Sequence, residues 1–128
     1  MSLDPTIKAL AQGKNFAALT VHLPSGAAAT QIMWIDADDD HVIFNTEVHR
    51  AKFKAIEADP RITVAIWDAA NPYHYGEVSG RVARIERGAD ARAHIDQLSR
   101  KYTGGDYANP ITSERVKVYV ETERQRVQ

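Results

Sequence analysis

The chain contains no cysteine. That excludes disulfides, thiolate zinc sites and a cysteine nucleophile. No apolar run approaches the ~20 residues a membrane helix needs. The opening residues, Met1-Ser2-Leu3-Asp4-Pro5, lack the basic and apolar regions of a signal peptide, so a cytoplasmic protein is expected. An excess of one charge is missing as well. Sixteen basic residues face 17 acidic ones, a net charge of -1, so no nucleic-acid partner is expected. Metal patterns are absent: His22, His41, His49, His74 and His94 are scattered without the spacing of a zinc helix. Asp38-Asp39-Asp40 lacks the glycine and the distant glutamate of an EF-hand loop. There is no Ser-His-Asp or nucleophile-elbow pattern, so no catalytic side chain is singled out. Repeats, linkers and low-complexity segments are also lacking. What remains is 128 residues, 44% apolar and 26% charged, the size and balance of a single globular domain over residues 1–128.

Along that domain the pattern predicts three helices and six strands. Asp4-Pro5 is an N-cap followed by an N1 proline, opening a helix that ends near Gln12. Phe16 to Leu23 alternates as a strand, and Pro24-Ser25-Gly26 turns the chain. Residues 28–36 form the next strand, with bulk on both faces, so both faces are expected to be covered. After the aspartate turn come a strand over 41–46 and a helix from Arg50 to Asp59. Residues 61–67 are a strand and 68–72 a loop, and 77–86 form a long strand. Gly76 and Gly80 mark bends of the kind that curl a sheet into a barrel. The last helix follows Gly88, with Ala91, Ile95, Leu98 and Tyr102 on one face, and a strand over 115–121 closes the sheet. The first three strands read as an antiparallel meander. The fold class is mainly β (α+β), a small six-stranded antiparallel barrel with three short helices, filled by its own side chains. A ligand is then expected on its outside or between subunits.

Asn45-Thr46-Glu47-Val48-His49-Arg50-Ala51-Lys52 breaks a local rule. A helix N-terminus is electropositive, and cations there are disfavoured by about 0.3–1 kcal/mol each. Arg50 and Lys52 stand in that first turn. An anion bound there, a phosphate or carboxylate, would resolve the conflict, with His49 as a possible third cation. The alternative is a solvated basic surface. Tyr73 and Tyr75 share a strand face, which suits a ring-stacking wall or a dimer contact. Trp34 and Trp67 fit core or interface positions.

Several stretches together carry a family resemblance. They are Gln31-Ile32-Met33-Trp34-Ile35, Phe44-Asn45-Thr46, Arg50-Ala51-Lys52, Asp59-Pro60-Arg61, Asn71 to Val82, Lys101-Tyr102 and Glu114-Arg115-Val116. In order and spacing the chain resembles the split β-barrel, pyridoxamine-phosphate-oxidase-like superfamily (the FMN-binding split barrel), and most of all its coenzyme F420 (deazaflavin) branch. The resemblance implies that Arg50 and Lys52 grip the cofactor phosphate with Asn45 and Thr46 as neutral partners. It implies that Gln31, Met33 and Trp34 run along the tricyclic ring. It also implies a homodimer in which Tyr73 and Tyr75 of a partner subunit wall the pocket. The run Phe53-Lys54-Ala55-Ile56 and the alanines of Gly26-Ala27-Ala28 depart from the usual pattern. The implied activity is hydride transfer from reduced F420 to a conjugated small-molecule acceptor. The alternatives are an FMN-dependent oxidoreductase of the same fold and a non-catalytic F420-binding or carrier protein.

Overall fold

The computed structural model describes residues 2–128. Helix α1 (Pro5–Gln12) starts where Asp4 accepts a hydrogen bond from the Thr6 N–H, 2.8 Å away. Strand β1 (Phe16–His22) turns into β2 (Ala28–Met33). Two residues later the two-residue strand β3 (Asp36–Ala37) precedes β4 (His41–Glu47) and helix α2 (Ala51–Ala58). A tight turn joins β5 (Arg61–Asp68) to β6 (Asn71–Glu86), and helix α3 (Ala89–Thr103) and a loop lead to β7 (Arg115–Val127). Among the described residues no helix is long and apolar enough to cross a membrane.

The strands form one antiparallel sheet of seven, in the order β2-β1-β5-β6-β7-β4-β3. The expected count of six rises to seven because the strand expected over 28–36 is cut at Trp34-Ile35. Before the cut it pairs with β1, and after it with β4. The expected three-strand meander is therefore absent, since β4 pairs with β3 and β7 and not with β2. The two edges of the sheet are consecutive in the chain. From Met33 to Asp36 three peptide steps reach at most about 11 Å, so at this end the sheet must curl until its edges nearly meet. The result is the mainly β, barrel-like class that the resemblance implies. β2 is open rather than covered: Ile32 is 64% exposed. Strand β6 begins at Asn71 and not after Gly76, and β7 runs on to Val127.

The inward residues of the strands fill the curl. Phe44, Leu19, Ile62, Val64, Ile66, Val78, Val116, Val118 and Val120 are all buried in one cluster with α1 and α2. Burying each large aliphatic or aromatic side chain contributes about 1.5–3 kcal/mol. Gly80 sits at a register shift between β6 and β7, where an added Cβ would lie 1.7 Å from the Glu121 carbonyl oxygen. Only a glycine lets the strands come this close, and the bend expected there is present. Helix α3 buries Ala91, Ile95, Leu98 and Tyr102, the face expected of it. Tyr102 stacks on Trp34, with ring centroids 5.2 Å apart and planes 4° from parallel. That stack, together with the Ile35 N–H donated to the Tyr102 hydroxyl at 3.1 Å, fastens α3 to the cut between β2 and β3.

Candidate functional site

Strand β4 ends in Asn45-Thr46-Glu47, and alternation sends these side chains to opposite sides. Thr46 turns into the barrel, fully buried, and its hydroxyl makes no hydrogen bond. Asn45 and Glu47 turn outward, toward α3 and the loop before β7. A short turn then starts α2 with Arg50 as N-cap, where no side chain accepts the helix N–H groups. The first helical turn is thus an uncapped electropositive end carrying two basic side chains, Arg50 and Lys52.

In front of it lies a cleft of about 230 Å³. Ile32, Met33 and Trp34 at the end of β2 form one lip, and Arg50 and Lys52 form another. Asn45 and Arg115 are at its base, while Ile95, Leu98, Tyr107 and Asn109 come from α3 and the loop after it. The base is tightly built. Arg115 Nε donates to Asn45 Oδ1 at 2.8 Å, and its guanidinium lies 5.2 Å from the Tyr107 ring centroid. Glu47 Oε1 accepts the N–H groups of Thr112 and Ser113 at 2.8 and 2.9 Å, pinning the loop that brings Tyr107 and Asn109 to the cleft.

The charges do not balance. Glu47 Oε2 lies 3.4 Å from Arg50 Nη2 and 3.5 Å from Arg115 Nη1. Burial works against ionisation of Glu47, but the N–H groups of Ser113 and Thr112 and the Arg115 charge outweigh it and hold the carboxyl below its ordinary range. This one carboxylate faces three cations. Lys52, only 9% exposed, has no carboxylate within ion-pair reach among the described residues; its Nζ lies 3.7 Å from Met33 Sδ. Burial, then repulsion from Arg50 and Arg115, lowers its pKa from 10.5 to about 8. Arg115 is 6% exposed, its basicity is lowered chiefly by burial, and its Nη1 makes no hydrogen bond. A buried cation with an unused donor is costly unless something negative meets it. The apolar and aromatic lip of Trp34, Ile95 and Leu98 beside this charge suits a molecule with a flat ring and a phosphate.

Of the residues singled out in the sequence, Met33, Trp34, Asn45, Arg50 and Lys52 are brought together at the cleft. Gln31 is on the opposite face of Lys52, beside a smaller apolar opening of about 40 Å³. Thr46 is not at the cleft, because its neighbour Asn45 is and successive strand residues face opposite ways. Tyr73 and Tyr75 lie at the start of β6, away from the lining of this cleft, with Tyr75 opposite Trp67 and Tyr73 85% exposed. His49 is beside the cleft, its Nδ1 2.5 Å from the Ser113 hydroxyl. The sequence assigns Tyr107 no role, and Arg115 none beyond its place in the family-like stretch Glu114-Arg115-Val116. Arg115 faces Glu47 across the β4–β7 ladder, a signal that exists only once the register is known.

The family model for pyridoxamine 5′-phosphate oxidase matches residues 3–126. Among solved structures, an F420 reductase is 25% identical and superposes with a TM-score of 0.83, over 97% of this chain and 98% of that one. A conserved hypothetical protein from Mycobacterium tuberculosis is 18% identical with a TM-score of 0.73, over 95% of this chain and 80% of that one. General Stress Protein 26 from Bacillus anthracis is 16% identical with a TM-score of 0.72, over 95% and 90% of the two chains. The last two show a shared fold alone. Among curated proteins, none matches.

Proposed function

This chain belongs to the pyridoxamine 5′-phosphate oxidase family, and from that premise we propose that its cleft seats a phosphorylated flavin-type cofactor for an oxidoreductase. The observation that carries the reading is the buried Lys52 with no carboxylate partner, beside an Arg115 that shares Glu47 with Arg50, at the uncapped start of α2. The finer reading is an F420-dependent reductase acting on a conjugated small-molecule acceptor. It is supported by the similarity to an F420 reductase along nearly the whole of both chains. FMN in the same seat is the second reading, favoured by the family itself. A cytoplasmic F420 carrier without turnover is the third.

Such a cofactor, when bound, supplies the hydride. The chain supplies the rest. Lys52, Arg115 and the α2 N–H groups hold the phosphate; Arg50, half-exposed and shared with Glu47, adds less. Met33 and Trp34 flank the ring, and Ile95 and Leu98 keep water from its edge. Holding donor and acceptor about 3–3.5 Å apart in a dry slot is the main catalytic task left to the protein.

The outer sheet face supports a homodimer. Small residues Thr30-Thr20-Thr63-Ser79 line up across four strands, beside a row of Ile32, Ala18, Ala65 and Glu77, with Phe16, Trp67 and Tyr75 at one end. The family resemblance implies that a second copy laid on this face walls the first copy's cleft with its Tyr73 and Tyr75. Fluorescence titration of the purified protein with F420 and with FMN tests the proposal, followed by turnover with a panel of enones and imines. Binding of neither cofactor would end it. Binding of F420 with no acceptor reduced would leave the carrier.

A further inference from the structure

Behind Asn45 lies a buried histidine that the cofactor reading does not use. His94, on α3, is 1% exposed. Its Nε2 is 3.0 Å from Asp36 Oδ2 on β3, and its Nδ1 is 3.1 Å from Asn45 Nδ2. The proton positions follow from the partners. Arg115 Nε can only donate, so the Asn45 atom that meets it is the oxygen. The Ala91 carbonyl can only accept, so the Asn45 atom 2.9 Å from it is the nitrogen. The amide is thereby fixed, and its second N–H points at His94 Nδ1. That nitrogen must be the acceptor, which leaves the ring proton on Nε2, donated to Asp36. Burial works against ionisation of Asp36, but its bonds from His94 and from the Ala37 N–H hold its carboxyl below the ordinary range, so it is a fit acceptor. A continuous line of hydrogen bonds thus runs from Asp36 through His94 and Asn45 to Arg115 at the base of the cleft.

We propose that His94 is a positioning residue for the anion seat: by accepting at Nδ1 it locks the Asn45 amide, and through it Arg115. The proposal rests on the cleft being a phosphate seat. A donor in place of Nδ1 would set two donors face to face. The Asn45 amide must then turn over, and its nitrogen meets Arg115 Nε, again donor against donor. Arg115 is released toward Glu47 and away from the phosphate. The charged groups around the ring are few. They are Asp36 from β3, Arg115 from β7 with Glu47 of β4 behind it, and Lys101 on the same helix, whose field reaches Asp36. A mere packing role for His94 predicts none of this directionality.

The test compares cofactors with and without the phosphate, F420 against its phosphate-free riboside and FMN against riboflavin, on the full-length chain. His94→Leu should cost the phosphorylated form about tenfold in affinity and leave the phosphate-free form within about twofold. His94→Gln, which can accept from Asn45 and donate to Asp36 at once, should keep the phosphate preference. His94→Gln serves even if His94→Leu folds poorly, because a glutamine variant without that preference would overturn the proposal. His94→Leu weakening both forms equally would overturn the proposal. A wild type with no phosphate preference sinks the cleft reading along with it. A wild type that has the preference, with a folded His94→Leu that keeps it, sinks this inference alone.

Discussion

Lys52 is held in the folded protein at a cost. Its charged form is penalised, so the unfolded chain binds its proton more tightly between pH about 8 and 10.5. The folding free energy should therefore improve as pH rises through that window, by about 3 kcal/mol. A Lys52→Met variant should lose this slope; chemical denaturation at several pH values checks it. Cofactor binding should show the opposite trend. Above pH about 8 the empty cleft sheds the Lys52 proton, so affinity for a phosphorylated cofactor should fall, whereas Lys52→Arg should stay flat. At neutral pH, Lys52→Ala should lose about 1.5–3 kcal/mol of affinity, and Arg50→Ala less than about 1, because its side chain is half-exposed and already shared with Glu47. At this scale the sequence was legible where charge order alone breaks a rule, as at Arg50 and Lys52. It marked Arg115 only within a family-like stretch and was silent on any role for His94 and Asp36, because their importance comes from neighbours brought together by strand register and by the docking of α3.

Among the elements, α2 shows the tension between stability and binding. Its cap position holds Arg50, which makes no capping bond. Arg50→Ser should add a cap and stabilise the fold by about 1 kcal/mol while weakening the cofactor. A thermal melt and a titration on the same sample would show the two effects diverging. In β6, Gly80→Ala should cost about 3 kcal/mol or more, because the added methyl meets the Glu121 carbonyl, backbone that cannot step aside. Helix ends were readable because the caps are written locally: Asp4-Pro5 opens α1, and Gly104 closes α3 in a left-handed turn. Strand ends were not. Residues 122–127 are mostly polar and earn their place in β7 only by pairing with the first half of β6. Asn71-Pro72 looks like a loop until its hairpin partner is in view. The break at Trp34-Ile35 has no local mark at all, since the alternation runs straight through it.

For the whole molecule, the exposed sheet face and the distance of Tyr73 from the cleft in a single copy make a joint prediction. Ala65→Arg, in the middle of that face, should convert a dimer to a monomer in sedimentation and weaken cofactor binding in step. Monomers that bind as well as wild type would separate the tyrosines from the site. The barrel class was legible because hairpin turns, bend glycines and alternating strands agree with one another. Its closure was not, because it depends on which edge each half of one segment joins. The seam between those edges is a stretch of two residues, and Trp34 within it belongs to the cleft. Peptide bonds cannot be let out like a lace. Widening the slot for a bulky guest requires one bordering strand to be shed, and β3, two residues long, is the weaker. Ligand entry and the fraying of that small ladder should therefore share a rate. Deuterium uptake at Asp36, paired with Ile43 across that ladder, is where the doorway would announce itself.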